Sequence, residues 1–346
     1  MRNVFGRRYS LVIGRLPPEA SETVAWSKQE VTVVSNSRLN PTVGGTKSLL
    51  TSDYRKEQGA FIRITDLDLK AEVAYMKSTS DKGGTQNNII EISNLSDQTK
   101  AKIREKDLIF LKAGYEQDVF EEADEDSLPL IFAGQIITKT TTRKNDGTTV
   151  TELICGDNRA PKITIKVSES WGPETLLSTV INDLLEVAAA NGVPTGKVFG
   201  LNDIDSPIAQ QLYTYGYSAN GNLFNEIQKV CDSIDFLFYT ALGKIYIEPR
   251  TGRSKGDRYT FIRLNPERLK KPIEYISDGS TPKGEDTREG VIIHIFLDGR
   301  ISPEMLIQIY DLSEEFDGTY TIKAIKHSLE YEGSDWDTVI ECMRVV

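Results

Sequence analysis

Between residues 67 and 75 the chain alternates with a period of two: Leu67, Leu69, Ala71, Val73 and Tyr75 are apolar, and Asp68, Lys70 and Glu72 between them are charged. Successive side chains of a strand point to opposite faces, so this pattern specifies a half-buried β-strand. Such a strand needs neighbours on its edges and a core under one face, which commits the surrounding chain to a sheet. The neighbours follow. Ile90 and Ile92 resume the alternation after a polar turn at residues 80–84. Residues 96–104 read as one short helix with Ser96 as N-cap. Residues 108–113, 130–142 and 148–155 are further strand candidates, and Asp146-Gly147 has the positive-φ chemistry of a tight hairpin turn.

The middle third changes period. Leu176, Leu177, Val180, Ile181, Leu184, Leu185 and Ala188 recur every three to four residues, which puts one apolar stripe on a helix. Pro173 suits its first turn and Asn191-Gly192 its C-terminal stop. A second helix is expected over residues 219–232, with Leu223, Phe224, Ile227, Val230 and Cys231 on one face. It feeds a hairpin of residues 236–240 and 244–248 that turns at Leu242-Gly243. Strand text then returns at residues 291–296, 305–311, 319–326 and 336–345. Tyr320, Ile322 and Ala324 are expected on one face of the third of these, and Trp336, Thr338, Ile340 and Cys342 on one face of the last. Residues 17–59 are polar and turn-rich and read as an arm or long loop with one strand at 31–34. Residues 250–258 and 278–290 read as linkers. No short-period tandem repeat is visible, but a coarse symmetry is: β, then α/β, then β.

Composition narrows the function. The 346 residues suffice for more than one core, and 39 % hydrophobic with 27 % charged residues excludes a disordered class. The formal net charge is −10 and the basic spots, Arg7-Arg8 and Lys270-Lys271, are short, so no face is expected to grip nucleic acid by its phosphates. Cys155, Cys231 and Cys342 lie far apart without CxxC or CxxH spacing, which points to buried thiols in a reducing compartment and away from a zinc site or disulfide framework. No segment reaches the ~18 apolar residues that span a bilayer. Residues 1–14 lack the continuous apolar stretch of a signal peptide.

An enzyme needs convergent groups, and few are present. The two histidines, His294 and His327, fall among apolar residues of strand candidates and read as structural. No GxSxG, HExxH, phosphate loop or dinucleotide fingerprint occurs, and Gly114, Gly134 and Gly147 stand alone as turn or bulge glycines. The acidic run Glu116, Asp118, Glu121, Glu122, Asp124, Glu125 and Asp126 lacks the glycine and ligand spacing of an EF-hand and reads as a solvated hairpin loop. Tyr75, Phe110, Phe132, Phe236, Phe238, Tyr246 and Trp336 belong in cores, since a base-stacking platform would carry basic neighbours. No catalytic, cofactor-binding or metal-binding residue is expected.

Four stretches carry a resemblance. Asn88-Ile89-Ile90-Glu91-Ile92-Ser93-Asn94-Leu95-Ser96 runs a strand into a short helix. Leu111-Lys112-Ala113-Gly114-Tyr115 is followed, after the acidic loop, by Ile131-Phe132-Ala133-Gly134-Gln135-Ile136. A threonine-rich hairpin ends in Glu152-Leu153-Ile154-Cys155-Gly156-Asp157. Near the end come Gly318-Thr319-Tyr320-Thr321-Ile322-Lys323-Ala324 and Trp336-Asp337-Thr338. In this order they resemble the baseplate hub proteins of tailed phages, the group that includes late-control protein D-like hubs. The resemblance covers residues 60–346 and leaves 17–59 without a counterpart.

The resemblance implies a fold that is mainly β with an α/β insert (α+β), in which two tube-type β-barrel domains flank a small helix-containing domain. Residues 1–166 would hold an N-terminal arm and the first barrel, 167–250 the α/β domain, and 251–346 a linker and the second barrel. It implies a non-enzymatic homotrimer in the virion baseplate, assembled in the host cytoplasm. That ring would adapt a hexameric tail tube to a trimeric spike or tip and contact other baseplate proteins. DNA would pass its channel without specific binding, and the chain would not insert into a membrane. A tail-associated glycan-cleaving enzyme and a carbohydrate-binding tail module are the competing readings.

Overall fold

The structure is a computed structural model of the 346-residue chain. It describes residues 6–14, 30–35, 46–48, 61–77, 88–115, 128–157, 165–191, 193–200, 211–249, 259–277, 289–310 and 312–345. The acidic run at 116–126, the linker at 250–258 and most of that at 278–290 lie outside these residues.

The first strands are β1 Arg7–Gly14, β2 Glu30–Ser35, β3 Thr46–Ser48, β4 Phe61–Thr65, β5 Leu69–Met76 and β6 Asn88–Ser93. Helix α1 Asp97–Lys102 follows, then β7 Leu108–Tyr115, β8 Leu130–Arg143 and β9 Thr149–Gly156. The central part is β10 Lys166–Trp171, β11 Thr175–Leu176, α2 Leu177–Ala190, β12 Thr195–Val198, β13 Leu212–Tyr213, β14 Tyr217–Asn222, α3 Leu223–Ser233, β15 Phe236–Ala241 and β16 Lys244–Pro249. The last part is β17 Phe261–Leu264, β18 Glu274–Ser277, β19 Glu289–Phe296, β20 Leu306–Ile309, β21 Gly318–Glu330 and β22 Trp336–Arg344. The protein is thus mainly β. Its largest sheet has 15 strands and runs along an open path from β18 to β3. Among the described residues the path does not return on itself, so neither β region forms the closed barrel expected; closure requires the last strand to pair with the first.

The two β regions repeat one another. The order β5-β6-β9-β8-β7 recurs as β18-β19-β22-β21-β20, with antiparallel pairing throughout. The register recurs as well. Ile136 lies opposite Cys155 and the next pair is Thr138 with Ile154, so Ile137 is an extra, bulged residue. In the second region Ile322 lies opposite Cys342 and Ala324 opposite Glu341, so Lys323 is bulged at the same place. Leu108 and Ile109 opposite Gln135 and Gly134 correspond to Leu306 and Ile307 opposite Thr321 and Tyr320. Ile90 and Ile92 opposite Leu153 and Thr151 correspond to Ile293 and Ile295 opposite Ile340 and Thr338. Burial agrees, because Ile90, Ile92, Thr151, Leu153 and Cys155 are fully covered, as are Ile293, Thr338, Ile340 and Cys342. The outer strands differ: β1 is antiparallel to β7, whereas β17 is parallel to β20.

Each region has its own core. That of the first is built on Leu11, Ile64, Leu69, Ile92, Leu111 and Phe132, and that of the second on Val291, Ile293, Ile307, Tyr320, Ile340 and Cys342. A third core joins α2 and α3 to β15 and β16 through Val180, Leu184, Ile227, Val230, Phe236 and Ile247. Asn222 caps α3 by accepting from the Asn225 amide at 3.1 Å, and Ser96 caps α1 through the Thr99 amide at 3.1 Å.

Four local expectations are corrected. Residues 219–222 belong to β14 and not to a helix, because the strand pairs with β10 until Asn222 starts the cap. Pro173 lies outside α2, which begins after β11. Gly134 lies in neither a turn nor a bulge; it is mid-strand, where a Cβ would stand 2.5 Å from the Gly156 carbonyl oxygen. Ala324 does not share a face with Tyr320 and Ile322: the bulge at Lys323 reverses the alternation, and Ile325, His327 and Leu329 take the buried face.

Candidate assembly surface

The two repeats meet edge to edge. β21 pairs antiparallel with β5 from Ala324 opposite Met76 to Glu330 opposite Lys70, and the Lys77 amide donates to the carbonyl of the bulged Lys323 at 2.9 Å. Both strands present the same two faces. Ala71, Val73 and Tyr75 of β5 are buried beside Ile325, His327 and Leu329 of β21. The other face carries charge, with Lys70 Nζ 2.8 Å from Glu330 Oε1 and Lys326 Nζ 3.1 Å from Glu72 Oε2. Pairs this exposed contribute about 0–1 kcal/mol each, but a one-residue slip would break both pairs and turn the buried residues of one strand to solvent.

His327 sits under this junction. Its Nδ1 is 2.9 Å from Thr338 Oγ1, which in turn accepts from the Asp298 amide at 3.1 Å. Burial pushes the imidazole down to about 4, against the opposing charge of Asp298, so it is neutral near pH 7. His294 lies on the other face of β19, opposite Val339. The two histidines therefore do not converge. The three cysteines are buried and their thiols are pushed up by that burial. Among the described residues no three His, Cys, Asp or Glu side chains are grouped to hold a metal ion.

The helical part docks on the first repeat through a network the sequence did not single out. Lys77 Nζ lies 2.6 Å from Glu248 Oε1, with both side chains buried, and the Tyr239 hydroxyl donates to Glu248 Oε2 at 3.5 Å. Burial pushes the Glu248 carboxyl up, and the Lys77 ammonium works against that. Tyr239 stacks on Tyr246 with ring centroids 5.3 Å apart, and both pack into the first repeat's core. Arg7 ties the start of the chain to its end: its guanidinium donates to the Glu330 and Gly333 carbonyls at 2.5 and 2.8 Å and lies 5.4 Å from the Trp336 ring.

The uncored face of the joined sheet is acidic. Glu330, Lys70, Glu91 and Glu152 form one row across β21, β5, β6 and β9, each opposite the next. Like charges directly opposite are unfavourable in a sheet, and Glu91 faces Glu152 on one side and Lys70 on the other. The sequence signal that could have revealed the repeat is short: Thr151-Glu152-Leu153-Ile154-Cys155 and Thr338-Val339-Ile340-Glu341-Cys342 share threonine, a branched aliphatic and cysteine at alternate, inward positions.

The fold is shared with solved tail proteins. One is the tail protein from Neisseria meningitidis MC58, at TM-score 0.51 and 8 % identity over 82 % of this chain and 93 % of that one. Another is the 43 kDa tail protein of prophage MuSo2 from Shewanella oneidensis, at TM-score 0.50 and 9 % identity over 82 % and 94 %. The sequence itself matches no protein-family model and no curated protein.

Proposed function

We propose that this chain is a structural subunit of a phage tail baseplate hub. It assembles as a homotrimer whose repeats stand around one channel with pseudo-sixfold symmetry, each of three chains supplying two. The observation that carries this reading is the repeated register of the two β regions, centred on Cys155 and Cys342. A closed ring needs matched interfaces at regular intervals, and a chain with two like units can face a hexameric tail tube on one side and a trimeric spike or tip on the other. In this reading residues 1–166 and 251–346 hold the two tube-type units, which close into barrels only by pairing between copies, and 167–250 lies outside them. The row of Glu330, Lys70, Glu91 and Glu152, net negative, faces the channel, where negative charge repels DNA and lets it pass without sticking.

The role is non-enzymatic and needs no cofactor. Its support is the likeness to tail proteins and the separation of His294 from the buried, neutral His327. The partners are a tail tube protein, a spike or tip protein and other baseplate components, and the place is the virion. Native mass spectrometry of the full chain tests the assembly: a species of three chain masses is the expected result, and a monomer or dimer across micromolar concentrations would refute it.

A further inference from the structure

Two turns of the helical part are locked together, and neither takes part in the junctions above. Residues 171–176 meet residues 211–217: the Glu174 amide donates to the Tyr213 carbonyl and the Leu177 amide to the Gln211 carbonyl, both at 2.9 Å, and Leu176 lies opposite Leu212. The backbone there is fixed in unusual conformations. Glu174 has φ 61° although it is not a glycine, Gly216 has φ 81°, and a Cβ on Gly216 would run into the Trp171 carbonyl oxygen. Strain held at an exposed position points to a role beyond folding. What the turns present is apolar. Tyr215 is 94 % exposed, Leu176 and Leu212 are exposed, and Trp171, Tyr213 and Tyr217 are half-buried. A surface patch of this kind marks an interaction site, and tyrosine and tryptophan are the residues that anchor one.

Charge selects what can cover these turns. Between Lys166 and Lys229 the chain has seven carboxylates and one basic residue, Lys197, whose ammonium is held by Thr260 Oγ1 at 3.0 Å. Asp183 accepts from Trp171 Nε1 at 2.6 Å, and Glu169 and Glu174 are exposed. Glu226, which accepts from the Tyr217 hydroxyl at 3.1 Å, is matched by Lys229 at 2.6 Å. A rim of this sign repels phosphates, nucleic acids and acidic glycans. The aromatic cluster is not a flat sugar platform either, because Trp171, Tyr217 and Tyr213 cover one another's faces, with centroids 5.9 and 4.8 Å apart. A second copy of the chain, at net −10, is a poor match in charge. An arginine is a good one: its guanidinium stacks on a tyrosine ring and forks onto a carboxylate. We propose that the two turns are a docking site for a basic, apolar segment of another protein, whose arginines lie on Tyr215 and against Glu174 and whose aliphatic side chains cover Leu176 and Leu212. Neither the trimer nor the channel enters into this docking.

The test is fluorescence anisotropy of a labelled peptide of alternating arginine and leucine against the full chain, beside glutamate–leucine and glutamine–leucine peptides of the same length. The arginine peptide is expected to bind, with an affinity that falls as salt rises, and the other two to bind at least about tenfold more weakly. Leu212→Ser with Tyr215→Ser, both at exposed positions, should weaken the arginine peptide by about tenfold or more, and so should Glu174→Lys. Glu332→Lys makes the same charge change at an exposed site of the last hairpin and should leave binding within about twofold. Should Glu174→Lys fail to fold, the serine variant decides. An arginine peptide that does not bind, or that binds every variant alike, overturns the proposal. Chitohexaose that binds the parent and not the serine variant would make the turns a glycan site and overturn it as well. So would an oligomer that sedimentation shows falling apart in the serine variant, because the occupant would then be a second copy.

Discussion

Cys155 and Cys342 hold the same position in two copies of one strand arrangement. Each is fully buried, each lies opposite an isoleucine, Ile136 or Ile322, and each of those isoleucines is followed by a bulged residue. A one-residue bulge changes which face every later residue takes, so its recurrence at one register is a shared architectural feature. It allows β21 to bury Tyr320 and Ile322 before the bulge and Ile325, His327 and Leu329 after it.

Deleting Lys323 should leave the faces of β21 unchanged, because Ile322 and Ala324 then fall on consecutive partners, Cys342 and Glu341, and Ile325, His327 and Leu329 stay on the buried side. A cooperative thermal transition is expected to survive. Inserting one alanine between Ile325 and Lys326 instead turns His327 and Leu329 away from the core or forces a second bulge, and the melting temperature should fall well below the parent's. Circular dichroism melts of the two variants distinguish these outcomes; an insertion variant as stable as the parent would show that the facing of β21 has no structural role.

Lys77 and Glu248 form the buried link between the helical part and the first repeat. Removing one partner of such a pair leaves an uncompensated charge in low dielectric, at a cost of about 3–5 kcal/mol. Lys77→Met is expected to lose that much in urea titration, and Lys77→Met with Glu248→Met to recover most of it. A single variant as stable as the parent would mean the pair is hydrated in solution.

His327 supplies a pH dependence with a definite sign. Its folded value of about 4 lies below its ordinary 6.5, so between these values the unfolded chain binds more protons than the folded one. Stability then falls as pH drops from about 6.5 towards 4, by about 3 kcal/mol in total. Asp298 acts in a lower window. Burial raises its carboxyl, the bonds from Arg300 and the charge of Arg268 more than reverse this, and the net shift is downward. Its contribution is lost only below the ordinary carboxylate range. Urea midpoints measured from pH 4 to 7 should slope for the parent and lose that part of the slope in His327→Gln; parallel profiles would assign the acid sensitivity elsewhere.

Gly134→Ala should destabilise the first repeat. The added Cβ meets the Gly156 carbonyl oxygen and Phe132 Cζ, both at 2.5 Å, and one of those neighbours is backbone that cannot swing aside. Overpacking of this kind costs about 1–3 kcal/mol. A thermal midpoint unchanged from the parent would contradict the strand position of Gly134.

Much of the sheet was legible in the sequence, for physical reasons. β5 and β22 expose one face and bury the other, and that asymmetry writes a period of two. β1 was hidden because Tyr9, Leu11, Val12 and Ile13 are all buried, which leaves a continuous apolar run behind Arg7 and Arg8. β17 and β18 are four residues each, near Pro266 and Pro272, and carry too few alternations to register. The junction between the two repeats was not legible at all. The β5–β21 pairing joins Lys70 to Glu330 across most of the chain, and the bulge at Lys323 leaves no mark in residue type. The repeat survives in register and burial while its side chains have diverged, as Glu91 and His294 at equivalent positions illustrate.

If each chain contributes two like units to one ring, electron cryomicroscopy of the purified protein viewed down the ring axis will give averages with six similar lobes around a central hole, reducing to true threefold symmetry when the helical parts are resolved. Particles without a hole, or rings in which the two β regions of a chain stand at unlike radii, would contradict it.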